Sequence, residues 1–158
     1  MMKICTYIII VLMSFCSSVF AQNVNYLQRR ADRGDVSSQF NLALCYFYGQ
    51  NVRQDLQKAV FLFEKAANNG LAEAQVMLGN CYVEGKGIEK DSVKAFELYN
   101  QAAWCESSMG LYSLGNAYYY GIGTPRDVIR ARYYYNKAAV KGNKEAKKRY
   151  QQIRFEKD

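Results

Sequence analysis

The pairs Ala66-Ala67, Ala102-Ala103 and Ala138-Ala139 stand 36 residues apart, and no insertion breaks that step between the first pair and the last. Tyr46, Tyr82 and Tyr118 keep the same interval. So do Gly49, Gly85 and Gly121; Asp55, Asp91 and Asp127; Ala59, Ala95 and Ala131; Leu42, Leu78 and Leu114. That many residue types in one register is not a low-complexity accident. It imposes a repeat architecture, because a unit of this length cannot cover its own apolar stripe and must stack on neighbours, about three units being the usual minimum.

Each copy reads as a helical hairpin. In the middle copy Ala74, Leu78 and Tyr82 fall at i, i+4 and i+8, which places them on one helical face. Gly85-Lys86-Gly87 then stops the helix, since glycine reaches positive φ without strain. Asp91 follows as a cap for a second helix that carries Ala95, Leu98, Tyr99, Ala102 and Ala103 back onto the first. In the first copy Asn51 replaces a turn glycine, and asparagine is the next most tolerant residue there. The expected fold is therefore all-α: an α-solenoid of stacked antiparallel helical hairpins, with three 36-residue repeats at 35–70, 71–106 and 107–142. Residues 22–34 and 143–158 supply partial capping helices, the second of them basic.

The pattern A-x-x-x-L-G-x-x-Y-x-x-G-x-G-[VI]-x-x-D-x-x-K-A-x-x-x-Y-x-x-A-A resembles the Sel-one-like repeat (SLR), a relative of the tetratricopeptide repeat, over Asp35 to Gly142. Ala43 departs from the glycine at Gly79 and Gly115, Thr124 from the apolar residue at Val52 and Ile88, and Glu106 from Gly34, Gly70 and Gly142. The last departure strains the turn before Ser107. The resemblance implies an adaptor that holds a protein or peptide partner in or around a curved surface. Some cysteine-rich relatives of this repeat have been assigned penicillin hydrolysis, which makes an envelope hydrolase the alternative function.

The first residues carry a different signal. "MMKICTYIIIVLMSFCSSVFAQ" has Lys3, an apolar run from Ile4 to Phe15, and small residues before a cleavage site expected after Ala21. A retained anchor needs about 20 apolar residues, and this run is shorter. Residues 1–21 thus read as a signal peptide, and the mature chain as exported, periplasmic or secreted. The whole chain has a net charge of +7, and from Lys141 to Asp158 seven Lys or Arg face three acids. A basic helix of this kind can contact an anionic membrane, but it reads first as a solvated cap; nucleic acid is not an expected partner of an exported chain.

The chain contains no histidine, which removes His-based acid–base catalysis, Ser-His and Cys-His pairs and the usual zinc sites. No Ser-x-x-Lys occurs after residue 21, so the acyl-enzyme serine of penicillin-binding proteins is missing. The short Gly85-Lys86-Gly87 and Gly121-Ile122-Gly123 turns join two helices and are not phosphate loops. Catalytic, cofactor and metal residues are accordingly none, and the chain is read as no enzyme.

Recognition must then fall to residues outside the shared register. Tyr118, Tyr135 and Tyr134 match core positions of the other copies and are expected inside. Phe40, Leu44 and Phe47 sit at i, i+4 and i+7 on a first helix, with Val76, Asn80 and Val83, then Tyr112, Asn116 and Tyr119, as their equivalents. With Tyr120 they form a candidate groove of aromatic and amide groups, in which Asn80 and Asn116 bond a peptide backbone and the rings supply contact area. For Phe47, Val83 and Tyr119, packing between repeats is an equal alternative.

Of the five cysteines, Cys45, Cys81 and Cys105 lie beyond residue 21. Cys45 and Cys81 occupy equivalent places one helix-packing distance apart, about 8–10 Å, beyond the roughly 7 Å reach of a bridge, and read as small buried apolar residues. Titrating the denatured, unreduced mature protein is expected to count three thiols; a count of one contradicts this spacing argument.

Overall fold

The computed structural model describes residues 24–156, and all regular structure in that span is helical. The expected signal peptide lies outside the described residues. Helix α1 covers residues 24–32, followed by α2 (Val36–Tyr48), α3 (Leu56–Asn68), α4 (Ala72–Glu84), α5 (Ser92–Trp104), α6 (Ser108–Tyr120), α7 (Val128–Val140) and α8 (Lys144–Ile153). Helices α2 to α7 are each 13 residues long, the copy number and length that an unbroken repeat requires. From α2 onward each helix packs on the next along the chain, and α4 also meets α6. The result is a stack of antiparallel hairpins, as the sequence periodicity demands.

The recurring glycine and aspartate fix the two ends of every turn. Gly49, Gly85 and Gly121 are left-handed caps whose N–H groups bond Cys45, Cys81 and Ala117 carbonyls. Asp55, Asp91 and Asp127 cap α3, α5 and α7 by accepting from the N–H of Lys58, Lys94 and Arg130. Each aspartate's own N–H returns to the recurring tyrosine carbonyl, Asp55 to Tyr46 at 3.0 Å, Asp91 to Tyr82 at 3.1 Å and Asp127 to Tyr118 at 2.8 Å. That bond explains why tyrosine and aspartate keep one spacing. Asn51 adopts φ 61°, as its place in the turn predicts.

Glu106 shows how the departure from glycine is accommodated. It keeps the left-handed turn with φ 56°, a conformation that crowds any Cβ. Its carboxylate bonds Lys137 at 2.9 Å and Lys141 at 3.0 Å, both on or just beyond α7. Those hydrogen bonds hold the carboxylate below its usual titration range.

The core runs through the stack as two clusters that meet at α4, one built on Leu42, Phe63, Ala66 and Leu78, the other on Tyr99, Leu114, Ala131 and Tyr135. Tyr118 is buried as expected, whereas Tyr46, Tyr82 and Tyr134 are only half-buried. Tyr46, Tyr82 and Tyr118 lie at the rim of the core, where Lys58, Lys94 and Arg130 cover their rings at 5.3, 5.4 and 5.4 Å. Tyr134 stacks on Tyr118 at 5.6 Å with its other side in solvent. Cys81 is buried, Cys45 half-buried and Cys105 exposed, and all three are free thiols.

A second coordinated change explains Ala43. In the second and third hairpins a tyrosine ring presses on a glycine backbone, so that a Cβ at Gly79 meets Tyr99 Cε1 at 2.5 Å and one at Gly115 meets Tyr135 Cδ1 at 2.7 Å. The tyrosine hydroxyls donate to the neighbouring amides, Tyr99 to Asn80 Oδ1 and Tyr135 to Asn116 Oδ1, each at 2.7 Å. The first hairpin has the apolar version of the same contact, with Ala43, Leu44 and Phe63 in those places. Gly79→Ala is therefore expected to cost about 1–3 kcal/mol by overpacking. Asn80→Leu is expected to cost about 1–3 kcal/mol by stranding the Tyr99 hydroxyl. Gly79→Ala/Asn80→Leu/Tyr99→Phe installs the first hairpin's solution and should recover at least half of the combined loss in urea denaturation. A triple variant as unstable as the two singles added together refutes the coupling.

Candidate partner-binding surface

First and second helices present different surfaces. α4 and α6, first helices of adjacent hairpins, touch directly, which puts the first helices on the tighter inner side of the stack. The outer side opens into clefts between second helices. The candidate residues all lie on α2, α4 and α6 and so face the inner side or the joints between hairpins.

Their individual places differ. Phe40 and Phe47 flank the Phe63 ring at 5.8 and 6.0 Å, and Tyr112 and Tyr119 flank Tyr135 at 5.8 and 6.5 Å. The i and i+7 positions thus straddle the one second-helix ring that enters the first-helix layer, and all four are half-buried. Leu44 and Val83 are also half-buried. Val76 is 2 % exposed and belongs to the core, so it offers no surface to a ligand; the closeness of α4 to α6 shuts it in. Asn80 and Asn116 are half-buried rather than open to solvent, because each spends its carbonyl oxygen on a buried tyrosine hydroxyl. The amide nitrogen remains as the group that can meet a peptide carbonyl. Tyr120 is 53 % exposed.

A cleft of about 200 Å³ between α4 and α6 brings Asn80, Val83, Asn116 and Tyr120 together, with Ser113 and Ile122 completing its wall. The sequence reading missed Ser113 because serine there matches Met77 and Asn41 and shows no pattern. It also missed Arg149, whose guanidinium sits 6.0 Å from the Tyr120 ring. Position 149 continues the 36-residue register from Ser113 into α8, so extending the repeat into the cap was the available signal.

On the outer side, a wider cleft of about 370 Å³ between α5 and α7 is lined by Trp104, Tyr133, Tyr134, Asn100, Lys137 and Glu106. Trp104 is 88 % exposed and Tyr133 57 %. Neither belongs to the recurring set, and neither meets the inner cleft.

Burial holds several ionisable side chains in their neutral forms. Burial pushes the Cys81 thiol up to about 11, and it raises the Tyr99 and Tyr135 hydroxyls well above their ordinary range. Burial also raises Cys45. These thiols are protonated at neutral pH and poor nucleophiles. Among the described residues no three His, Cys, Asp or Glu side chains converge on a metal position, and no helix is long and apolar enough to cross a membrane.

The Sel1 repeat family model matches residues 36–71, 72–103 and 108–143. Among solved structures, a protective antigen present in uropathogenic Escherichia coli strains, displaying an SLR fold, superposes with a TM-score of 0.81 at 34 % identity over 85 % of this chain; the match spans 29 % of the Escherichia coli protein's length. A Sel1 repeat protein from Oxalobacter formigenes gives 0.73 at 39 % identity, covering 83 % of this chain and 98 % of that one. Cysteine rich protein B of Helicobacter pylori shares the fold, with a TM-score of 0.63 at 22 % identity over 82 % of this chain and 93 % of its own. No curated protein matches the chain in sequence.

Burial and thiol protonation together order the cysteines. In the native protein at pH 8, a thiol-specific reagent is expected to label Cys105 first and Cys45 slowly, with Cys81 protected until unfolding. Fast native labelling of Cys81 contradicts the packing of α4.

Proposed function

Because the chain belongs to the Sel1 repeat family, whose members typically mediate protein–protein interaction, we propose that it is an exported, non-enzymatic scaffold that captures an extended segment of a protein partner along its inner side. The observation that carries this reading is the α4–α6 cleft, where the Asn80 and Asn116 amides stand beside the exposed Tyr120 ring. Two amides one repeat apart on parallel first helices offer hydrogen bonds at intervals along a peptide backbone. The adjacent tyrosines supply apolar area that loses little entropy when a ligand is bound. Export rests on the apolar run and small residues of positions 1–21, and places the partner in the bacterial envelope or outside the cell.

The hydrolase alternative has less support: the chain has no histidine to act as a base, and Cys81 is buried with its thiol pushed up to about 11. Contact of the basic α8 with a membrane is not favoured either, since Lys148 is paired with Glu145 at 2.8 Å and the helix buries Ala146 and Ile153 against the stack as a cap.

A photo-crosslinking residue at position 120 is expected to trap a discrete protein adduct in the producing cell, and the same residue at position 133 on the outer side is not. Tyr112→Ala in the position-120 variant should cut the adduct at least fivefold without changing helicity. Equal adducts from both positions remove the inner cleft as the binding surface.

A further inference from the structure

The segment after α8 turns back onto the third hairpin. Glu156 places one carboxylate oxygen 2.6 Å from Arg126 Nη2, and the Tyr119 hydroxyl donates to the other at 3.3 Å. Arg132 donates from its two terminal nitrogens to the backbone carbonyls of Arg154 at 2.9 Å and Glu156 at 3.1 Å. The Arg126 guanidinium also lies 5.4 Å from the Tyr119 ring. Two arginines and a tyrosine, brought from α6, the loop after it and α7, thus grip the short turn that follows α8 through one side-chain carboxylate and two carbonyls. This is what a peptide-binding clamp does.

The occupant is held by polar contacts alone. Ile153 is the last buried apolar residue, and Phe155, beside the gripped glutamate, is 85 % exposed. The Arg126–Glu156 pair is itself partly in solvent, with side chains 47 % and 35 % exposed. Ion pairs in such a setting hold weakly and exchange readily. A further cation stands close by, since Arg149 lies over Tyr120 at the next position along the groove. Arg132 keeps a buried Nε–H without an acceptor, so the grip is not saturated by the chain's own segment.

We propose that Arg126, Arg132 and Tyr119 form a carboxylate-binding clamp at the third-hairpin end of the groove, that Glu156 is its built-in occupant, and that an acidic peptide of a partner displaces it. The proposal rests on the groove reading, since Tyr119 and Tyr120 belong to that surface, and it adds the chemistry of the ligand. The chain's own segment lowers the apparent affinity of the clamp by the fraction of molecules in which it is docked.

The test titrates a fluorescein-labelled (Gly-Glu)4 octapeptide into the unaltered chain and into Glu156→Gln, with anisotropy as the readout and (Gly-Gln)4 as the neutral probe. Glu156→Gln is expected to bind (Gly-Glu)4 about three- to tenfold tighter than the unaltered chain, because the competing carboxylate is gone. Adding Arg126→Gln or Arg132→Gln should erase the gain. Glu145→Gln, which makes the same change in net charge on α8, should leave the affinity unaltered, and (Gly-Gln)4 should bind none of the variants. Equal affinity for the unaltered chain and Glu156→Gln overturns the proposal. So does a gain reproduced by Glu145→Gln, a gain that survives loss of Arg126 and Arg132, or absence of (Gly-Glu)4 binding altogether. Crosslinking from position 120 reads partner capture independently of this titration, so failure of the clamp and failure of the groove are distinguishable.

Discussion

The separation of the two helices in each hairpin is set by a single aromatic ring, Phe63, Tyr99 or Tyr135, that enters the layer of first helices and stops against its backbone. These rings are nearly or wholly shielded from solvent, at 0 %, 4 % and 0 % exposure. Everything on the inner side follows from them. They spread Phe40 from Phe47 and Tyr112 from Tyr119, they demand Gly79 and Gly115 where the ring comes closest, and their hydroxyls claim Asn80 and Asn116. A buried hydroxyl without an acceptor costs more than the hydrogen bond is worth when made, so the amides are fixed by the tyrosines as firmly as by any ligand. In the proposed groove the same side chains would serve structure and recognition: the asparagine oxygen serves the fold, and its nitrogen is the group offered to a partner.

The repeat was legible because its constraints are local and identical in each copy. Glycine and aspartate recur at one spacing since the αL cap, the N-cap and the bond from the aspartate N–H to the carbonyl three residues before the glycine form one closed turn, and the tyrosine ring at that place is covered by the basic residue three after the aspartate. The candidate groove was legible in outline only. Helical spacing put Val76 on the same face as Asn80 and Val83, and only the packing of α6 against α4 reveals that this part of the face is covered. Arg149 and Glu156 could not emerge from comparing complete repeats, because they lie in and after the partial one. The same limit applied to Asn80 and Asn116: sequence showed that they do not recur in the first hairpin, while the reason, a change from Tyr99 and Tyr135 to Phe63, needs the contact itself.

The inner surface is not uniform from one end to the other. The first hairpin offers Phe40, Leu44 and Phe47, and is apolar. The middle of the stack adds amides, and the far end adds Arg126, Arg132 and Arg149 around Tyr119 and Tyr120. A ligand lying along this surface meets grease, then hydrogen-bond donors, then positive charge, which gives it a direction as well as a place. Identical hairpins would leave orientation undefined; the residues that escape the repeat supply it.

The left-handed turn at Glu106 differs from its equivalents in what ties it down. Gly34, Gly70 and Gly142 make the same bend with no side chain of their own at the turn. At Glu106 the bend is tethered by two lysines of the following hairpin, through contacts that solvent reaches. Added salt weakens ion pairs of this exposed kind. The joint between the second and third hairpins thus carries an ion-pair tether whose hold weakens as ionic strength rises.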